Sequence, residues 1–85
     1  MTRQRIKLYA LSTCSHCSAV KKLLERYTTE FDVVDVDRLD SDQRKDTLEE
    51  VKQYNERLSF PTTVIGDEVI VGYKADRIKK ALGNK

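Results

Sequence analysis

The chain has 85 residues, of which 39% are apolar and 7% aromatic, and its 16 basic and 14 acidic residues leave a net charge of +2. This length predicts one domain, residues 1–85, with one modest core. Nearly balanced charge without basic runs between aromatics argues against nucleic-acid binding, and no apolar run approaches the ~20 residues that span a membrane. We see no signal peptide and expect a cytoplasmic protein, in which paired cysteines are usually catalytic or metal-binding.

The first half of the chain predicts a strand, a helix and a second strand. Residues 5–11 alternate basic and apolar side chains, which is typical of a half-buried strand with Ile6 and Leu8 on one face. Residues 31–36 are rich in valine and predict the second strand. Between them a helix begins near Ser15, and its apolar residues recur every three or four positions. This predicted inner stripe consists of Val20, Leu23, Leu24 and Tyr27.

The second half predicts a helix, a hairpin and a final helix. Residues 40–58 carry a helical stripe after three candidate N-cap residues, Asp40, Ser41 and Asp42. The stripe consists of Leu48, Val51, Tyr54 and Leu58. After Pro61, two β-rich runs flank Gly66 and Asp67, which predicts a hairpin. Residues 75–82 form the last helix, which ends at the C-cap signal Gly83-Asn84 and buries Ile78, Ala81 and Leu82.

The predicted order of elements is β-α-β-α-β-β-α, which belongs to the α/β class. A helix joins the first two strands, so they are expected to be parallel with a right-handed crossover. The last two strands are joined by a short turn and are expected to be antiparallel. We therefore predict a four-stranded mixed sheet flanked by three helices.

The run C-S-H-C, residues 14–17, lies between the first predicted strand and the first helix. Cys14 is placed at the helix N-terminus, where unpaired N–H groups and the helix dipole stabilise a thiolate. The thiolate is the attacking form of cysteine. Cys17 follows nearly one turn later, within reach of the first sulfur. The spacing predicts a nucleophilic and a resolving thiol for thiol–disulfide exchange.

Other interpretations of the pair are weaker. A structural zinc site needs about four ligands, and the chain offers two cysteines and His16, so we predict no metal site. A structural disulfide would close a tiny loop and restrain little chain entropy. A pair of core cysteines without chemistry is the third alternative. His16 itself has two interpretations: its imidazolium favours the Cys14 thiolate, or it is an exposed spacer.

A proline, Pro61, opens the third predicted strand. A C-x-x-C after the first strand, followed by β-α and such a proline, resembles the glutaredoxin branch of the thioredoxin superfamily over nearly the whole chain. The resemblance implies a thioredoxin-like fold in which Pro61 is cis and faces the cysteines, and in which Phe60 offers its backbone to the substrate. Residues 72–76, G-Y-K-A-D, resemble the family's G-G-x-x-D, which binds the γ-glutamyl end of glutathione. Gly72 and Asp76 match it.

Several positions depart from the family pattern. Leu11 stands where glutaredoxins usually carry the Lys or Arg that holds a glutathione carboxylate, and Ser15 and His16 replace Pro and Tyr of C-P-Y-C. Tyr73 replaces the second glycine. These changes imply weak glutathione binding. Phe60 and Tyr73 have two interpretations each. Phe60 fills the core beneath the loop and Tyr73 caps the end of the sheet, or both line an apolar rim around Cys14 that docks an unfolded or extended target segment.

We therefore expect a monomeric enzyme that reduces protein disulfides through Cys14 and Cys17, with no cofactor beyond that redox-active pair. Its electrons would come from a thioredoxin-type or ferredoxin-linked reductase, as in the glutaredoxin-like proteins that it resembles. The alternatives are a glutathione-dependent glutaredoxin and an iron–sulfur carrier whose cluster bridges two subunits through the first cysteine of each. A redox-sensing binding module without turnover is a further alternative.

Overall fold

The computed structural model of the protein describes residues 5–27 and 30–83. Within these ranges the predicted order of elements is confirmed, with one short 3-10 helix added at Val36–Arg38. The strands are β1 (Ile6–Ala10), β2 (Asp32–Asp35), β3 (Thr62–Ile65) and β4 (Glu68–Val71), and the helices are α1 (Ser15–Tyr27), α2 (Ser41–Tyr54) and α3 (Ala75–Ala81). None of these helices is long and apolar enough to cross a membrane.

The four strands form one mixed sheet in the order β2-β1-β3-β4. β1 and β2 are parallel, with Ala10 opposite Asp35, whereas β3 is antiparallel to both β1 and β4. Tyr9 is paired with Thr62, and Thr62 with Val71. One edge of the sheet therefore gathers the ends of β1, β2 and β4 and the start of β3. The loops that leave this edge carry the cysteines and Pro61.

One face of the sheet holds the main core, under α1 and α3. The side chains of Leu8, Val20 and Ile78 are fully buried there. The core cluster also contains Ile6, Ala10, Cys17, Leu23, Leu24, Ile65, Ile70 and Ala81. Burial of alternate β1 residues against the apolar stripe of α1 is the arrangement that the two sequence periodicities predict.

The opposite face packs against α2. Tyr9 is buried there and its ring centroid lies 6.4 Å from that of Tyr54. The Lys7 ammonium lies 5.1 Å from the Tyr9 ring centroid and 3.5 Å from a carboxylate oxygen of Glu50. The helix begins after Asp40, whose carboxylate accepts a hydrogen bond from the Gln43 N–H at 2.8 Å. Helices thus cover both faces of the sheet.

Some predicted boundaries and burials are wrong. The second strand ends at Asp35, and α2 ends at Tyr54 rather than continuing to residue 58, because the backbone is extended at Asn55 (φ −148°) and left-handed at Leu58 (φ 53°). Tyr27 and Tyr54, which the helical stripes predict as inner residues, are 42% and 43% exposed. Each tyrosine is the last residue of its helix, where the stripe passes the edge of the core. Leu82 is half-buried, and Asn84 of the predicted C-cap lies outside the described residues.

Candidate active site

The cysteines occupy the turn from β1 to α1. The Cys14 N–H donates to the Leu11 carbonyl oxygen at 3.2 Å, which closes the turn. The Ser18 N–H donates to the Cys14 carbonyl oxygen at 3.1 Å, which is the first hydrogen bond of the helix. Cys14 therefore directly precedes the N-terminus of α1, as the sequence predicts. Its sulfur lies where the free N–H groups of the first turn point.

The two thiols lie close together in different surroundings. The Cys17 N–H donates to the Cys14 sulfur at 3.3 Å, and the Leu11 N–H donates to the Cys17 sulfur at 3.5 Å. Both cysteines are free thiols; Cys14 is half-buried and Cys17 is 2% exposed within the core cluster. One sulfur can therefore meet a partner from solvent, whereas the other is shielded within the core.

These surroundings move the two pKa values in opposite directions. The Cys17 thiol donates to the Cys14 sulfur, and this bond, aided by the N–H groups of Cys17 and His16 and opposed by partial burial, holds the pKa of Cys14 below its usual value. Burial raises the pKa of Cys17 to about 12, with further contributions from the bond to Cys14 and from the charges of Cys14 and Asp35. The Leu11 N–H opposes this rise. Cys14 is the nucleophile that this asymmetry favours.

His16 is exposed on the first turn of α1. Its contribution to the Cys14 thiolate comes from its backbone N–H, which a substitution of the side chain would leave in place. The action of its imidazole stays a prediction. Among the described residues, no group of three or more His, Cys, Asp or Glu side chains could hold a metal ion.

The loop that carries Pro61 lies at the same edge of the sheet. The Phe60–Pro61 peptide bond is cis, and the Pro61 carbonyl oxygen accepts a hydrogen bond from the Gly72 N–H at 2.8 Å. Gly72 has a φ of 86°, in the left-handed region that glycine favours. Phe60 packs, half-buried, against the core cluster that Cys14 also contacts. The structure thus brings Phe60, Pro61 and Gly72 together on the cysteine side of the sheet.

The two other residues predicted for substrate binding are exposed. Tyr73 follows Gly72 directly and is 46% exposed, so its ring is available at the surface beside the Pro61 loop. Asp76 lies exposed in the first turn of α3. Their roles in binding a substrate stay predictions.

A buried amide that sequence reasoning missed organises the Pro61 loop. Asn55 is 9% exposed, and its side-chain nitrogen donates to the Ser59 carbonyl oxygen at 3.2 Å, to the Ser59 hydroxyl at 2.9 Å and to the Thr62 hydroxyl at 3.3 Å. Thr62 in turn donates to the Ser59 carbonyl oxygen at 2.7 Å. The Arg57 N–H donates to the Asn55 side-chain oxygen at 3.2 Å. An Asn just after a helix, followed by Ser and Thr before a strand, is the available sequence signal.

A second missed contact holds the turn that carries the cysteines. The Asp37 carboxylate accepts hydrogen bonds from the Ser12 N–H at 2.9 Å and from the Ser12 hydroxyl at 2.5 Å. These bonds lower the pKa of Asp37 below its usual range. Because Asp37 follows β2 and Ser12 follows the parallel strand β1, the shared sheet edge explains why they meet.

A cavity of about 170 Å³ adjoins the thiols. Its charged lining consists of Lys21 from α1, Asp35 from the end of β2 and Arg38 from the 3-10 helix. The other lining residues are Leu8, Ala10, Leu11, Ser12, Cys14, Cys17, Ser18 and Val33. In the sequence, Asp35 belongs to the valine-rich strand predicted at residues 31–36, and that pattern gives no reason to place it beside a cysteine.

A dithiol at a helix N-terminus, beside a cis-proline loop on a four-stranded mixed sheet, defines a redox protein with the thioredoxin fold. Comparison with known proteins agrees with this class. The family model described as Glutaredoxin matches residues 6–70. The chain belongs to the glutaredoxin family, as the resemblance of its motifs implies.

Solved structures with the same fold include two from Methanosarcina species. Methanoredoxin of Methanosarcina acetivorans is 39% identical with a TM-score of 0.91, and the alignment covers 95% of this chain and 86% of that one. The glutaredoxin of Methanosarcina mazei Go1 is 42% identical with a TM-score of 0.86, over 93% and 78% of the two chains. The glutaredoxin-like NrdH-redoxin of Escherichia coli is 26% identical with a TM-score of 0.73, over 89% and 92%. No match was found among curated proteins.

Proposed function

We propose that this protein is a dithiol oxidoreductase that reduces protein disulfides. The observation that carries the proposal is the asymmetry of the two thiols. Cys14 is accessible and has a lowered pKa, whereas Cys17 is buried and has a pKa raised to about 12. An accessible thiolate beside a buried thiol suits a two-step exchange, in which the first attacks and the second releases the product.

In the first step the Cys14 thiolate attacks a sulfur of the target disulfide, and the second target sulfur leaves as a thiolate. In the second step the Cys17 sulfur, having lost its proton, attacks the Cys14 sulfur and displaces the first target sulfur. The target gains two electrons and two protons in total, and Cys14 and Cys17 become a disulfide. A reductase then supplies two electrons to restore the dithiol.

Three features favour a protein target over glutathione. Leu11 brings an apolar side chain to the position where a base would hold a glutathione carboxylate, and its N–H already donates to Cys17. Tyr73 presents an exposed ring beside the Pro61 loop, and aromatic residues are enriched where proteins bind one another. In addition, the NrdH-redoxin relative is a glutaredoxin-like protein with a thioredoxin-like activity profile.

Substitution of each cysteine tests the assigned roles. In an assay of insulin reduction, we expect Cys14→Ser to abolish turnover. We expect Cys17→Ser to form a stable mixed disulfide with the target, because the first step survives and the second does not. Glu25→Gln, at an exposed position of α1 outside the cavity that adjoins the thiols, is the control and should reduce insulin at the wild-type rate. Wild-type turnover by Cys14→Ser would overturn the assignment of Cys14 as nucleophile.

The electron donor is tested by comparing glutathione with a thioredoxin-type and a ferredoxin-linked reductase. We expect slow reduction of the oxidised protein by glutathione and fast reduction by a reductase. The double variant Leu11→Lys, Tyr73→Gly restores the residue types usual in glutaredoxins, and we expect it to react faster with glutathione than the wild type does. Fast reduction of the wild type by glutathione alone would instead favour a glutathione-dependent glutaredoxin.

We also propose that the Cys14–Cys17 pair is the only redox group and that the protein acts as a cytoplasmic monomer. The competing iron–sulfur carrier would need two chains and one cluster. Anaerobic reconstitution with iron and sulfide, followed by size-exclusion chromatography, separates the two. A colourless monomer supports the dithiol function, whereas a coloured dimer would support the carrier.

A further inference from the structure

The resolving step needs a proton acceptor. Burial raises the pKa of the Cys17 thiol to about 12, so this thiol is protonated at pH 7. The largest cause of that pKa is burial, which persists when Cys14 is joined to a target. Since the thiolate is the attacking form, some group must take the Cys17 proton as the second step proceeds.

The cavity beside the thiols holds one candidate. Among its lining residues, Asp35 carries the single carboxylate, whereas Lys21 and Arg38 are cations and the Ser12 and Ser18 hydroxyls are far weaker bases. His16 lies outside the lining. A base that serves Cys17 from this cavity can therefore come only from Asp35.

The sheet brings Asp35 to Cys17. Asp35 is the last residue of β2 and is paired with Ala10 of β1. The next residue after Ala10 is Leu11, whose N–H donates to the Cys17 sulfur at 3.5 Å. The charge of Asp35 is also among the causes of the high pKa of Cys17, so the two groups lie within electrostatic range.

We propose that Asp35 accepts the Cys17 proton, through water in the shared cavity, when Cys17 attacks the mixed disulfide at Cys14. This inference rests on the proposed function. The cavity volume of about 170 Å³ exceeds the ~30 Å³ that one water molecule occupies in the liquid, so a bridging water has room. Lys21 from α1 and Arg38 from the 3-10 helix are the other charged residues that line this cavity.

In the proposed step, the Cys17 S–H bond breaks and its proton passes to the water, which passes one of its own protons to the Asp35 carboxylate. The Cys17 sulfur forms a bond with the Cys14 sulfur, and the bond from Cys14 to the target sulfur breaks. The target leaves as a thiolate with that electron pair. It then takes a proton from solvent, or from Asp35 through the same water.

The charge of Asp35 has a second effect, which allows a single substitution to distinguish two accounts of its role. Its negative charge raises the pKa of Cys17 and so opposes ionisation. If charge were its only effect, Asp35→Asn would ionise more Cys17 and accelerate the resolving step. If it accepts the proton, the same substitution slows that step. The two accounts therefore predict opposite changes.

The test follows the reduced protein mixed with one equivalent of an aromatic disulfide that releases a coloured nitrothiobenzoate. The first absorbance phase reports attack by Cys14, and the second reports resolution by Cys17, because each releases one coloured thiolate. We expect Asp35→Asn to leave the first rate within about twofold and to slow the second about tenfold or more at pH 7. Asp32→Asn, at the exposed start of the same strand, is the matched control and should change neither rate.

The pH dependence of the second rate provides a further test, because a purely structural role of Asp35 would not change it. For the wild type, the second rate should change little between about pH 6 and pH 8, because Asp35 rather than hydroxide takes the Cys17 proton. For Asp35→Asn it should rise about tenfold per pH unit as the thiol itself ionises. An unchanged or faster second phase in Asp35→Asn would overturn the proposal. A first phase that persists in Cys14→Ser would instead overturn the proposed function.

Discussion

Two loops meet at the functional edge of the sheet, and they are held in different ways. The thiol loop, residues 11–17, is tied to the end of β2 by Asp37, an exposed carboxylate that bonds to Ser12. The proline loop, residues 55–61, is tied to itself by Asn55, a buried amide that bonds to Ser59 and Thr62. Buried polar groups are costly to leave unpaired, whereas exposed ones exchange their partners for water. We therefore expect the hydrogen bonds of the proline loop to contribute more to the free energy of unfolding than those of the thiol loop. The bonds of the thiol loop mainly fix its position.

Removal of the buried amide should have the largest effect. Asn55→Ala deletes the donor that reaches Ser59 and the buried Thr62 hydroxyl, and it removes the side-chain acceptor of the Arg57 N–H. We expect a loss of about 2–3 kcal/mol in the free energy of unfolding, measured by urea denaturation. Gln53→Ala, at an exposed position of α2, is the control and should change stability by less than about 0.5 kcal/mol.

The same experiment tests whether the loops are independent. The rate at which iodoacetamide alkylates Cys14 in the folded Asn55→Ala variant should match the wild type, since no hydrogen bond joins Asn55 to the described part of the thiol loop. A stability change below about 0.5 kcal/mol in Asn55→Ala would contradict the role given to the buried amide.

Thr62 and Thr63 are adjacent in β3, so they belong to opposite faces of the sheet and allow buried hydroxyls on the two faces to be compared. Thr62 belongs to the hydrogen-bonded network of Asn55. Thr63 is fully buried between Leu8 and Ile70 in the strand register, and its hydroxyl has no hydrogen-bond partner. We expect Thr63→Val to raise the free energy of unfolding by up to about 1 kcal/mol, because valine fits the site without an unpaired hydroxyl.

Thr62→Val is its matched partner. It should lower the free energy of unfolding by about 1 kcal/mol, because it breaks the bond to Ser59 and leaves the Asn55 amide one acceptor short. Thermal melts of both variants check the pair. Equal shifts of the same sign would show that hydrogen bonding at these two hydroxyls does not decide their effect.

The features that the sequence predicts are those carried by local pattern. Three of them depend only on residues that are close in sequence: the alternation in β1, the apolar stripe of α1 and the Gly66-Asp67 hairpin. The C-S-H-C spacing likewise places the two thiols near each other, whatever the rest of the fold. The end of α2 was missed because Leu58 continues the apolar spacing, although Asn55 diverts the chain by bonding to Ser59. Asp35 was missed because its proximity to Cys17 arises only when β2 pairs with β1.

Loss of the exposed Asp37 carboxylate should lower stability by less than the loss of Asn55, and the effect should depend on pH. The pKa of Asp37 is lowered in the folded state, so its bonds to Ser12 stabilise the protein above the unfolded-state pKa of about 4 and are lost as pH falls through the lower folded-state value. Asp37→Asn should therefore lower Tm at pH 7, and the difference from the wild type should shrink below about pH 4.

Ser12→Ala, which removes one of the two bonds, should show a smaller shift of Tm with the same pH dependence. Asp46→Asn is the control for the charge alone, since Asp46 is exposed on α2 beyond its first turn and away from the thiol loop. A difference between Asp37→Asn and the wild type that stays constant down to about pH 2 would show that the carboxylate charge is not what anchors the loop.

We expect the smallest effect at His16, where a substitution distinguishes the contribution of the side chain from that of the backbone N–H. His16→Tyr keeps the N–H that supports the Cys14 thiolate and removes only an exposed imidazole. Exposed charges interact by about 0.2–1 kcal/mol, so we expect alkylation of Cys14 near pH 6 to slow by a factor of about two, with the pKa of Cys14 raised. Alkylation measured from about pH 4 to pH 9 checks this. Identical profiles would leave the backbone N–H as the whole contribution of His16, and the lowered pKa of Cys14 would then arise from Cys17 and the start of α1.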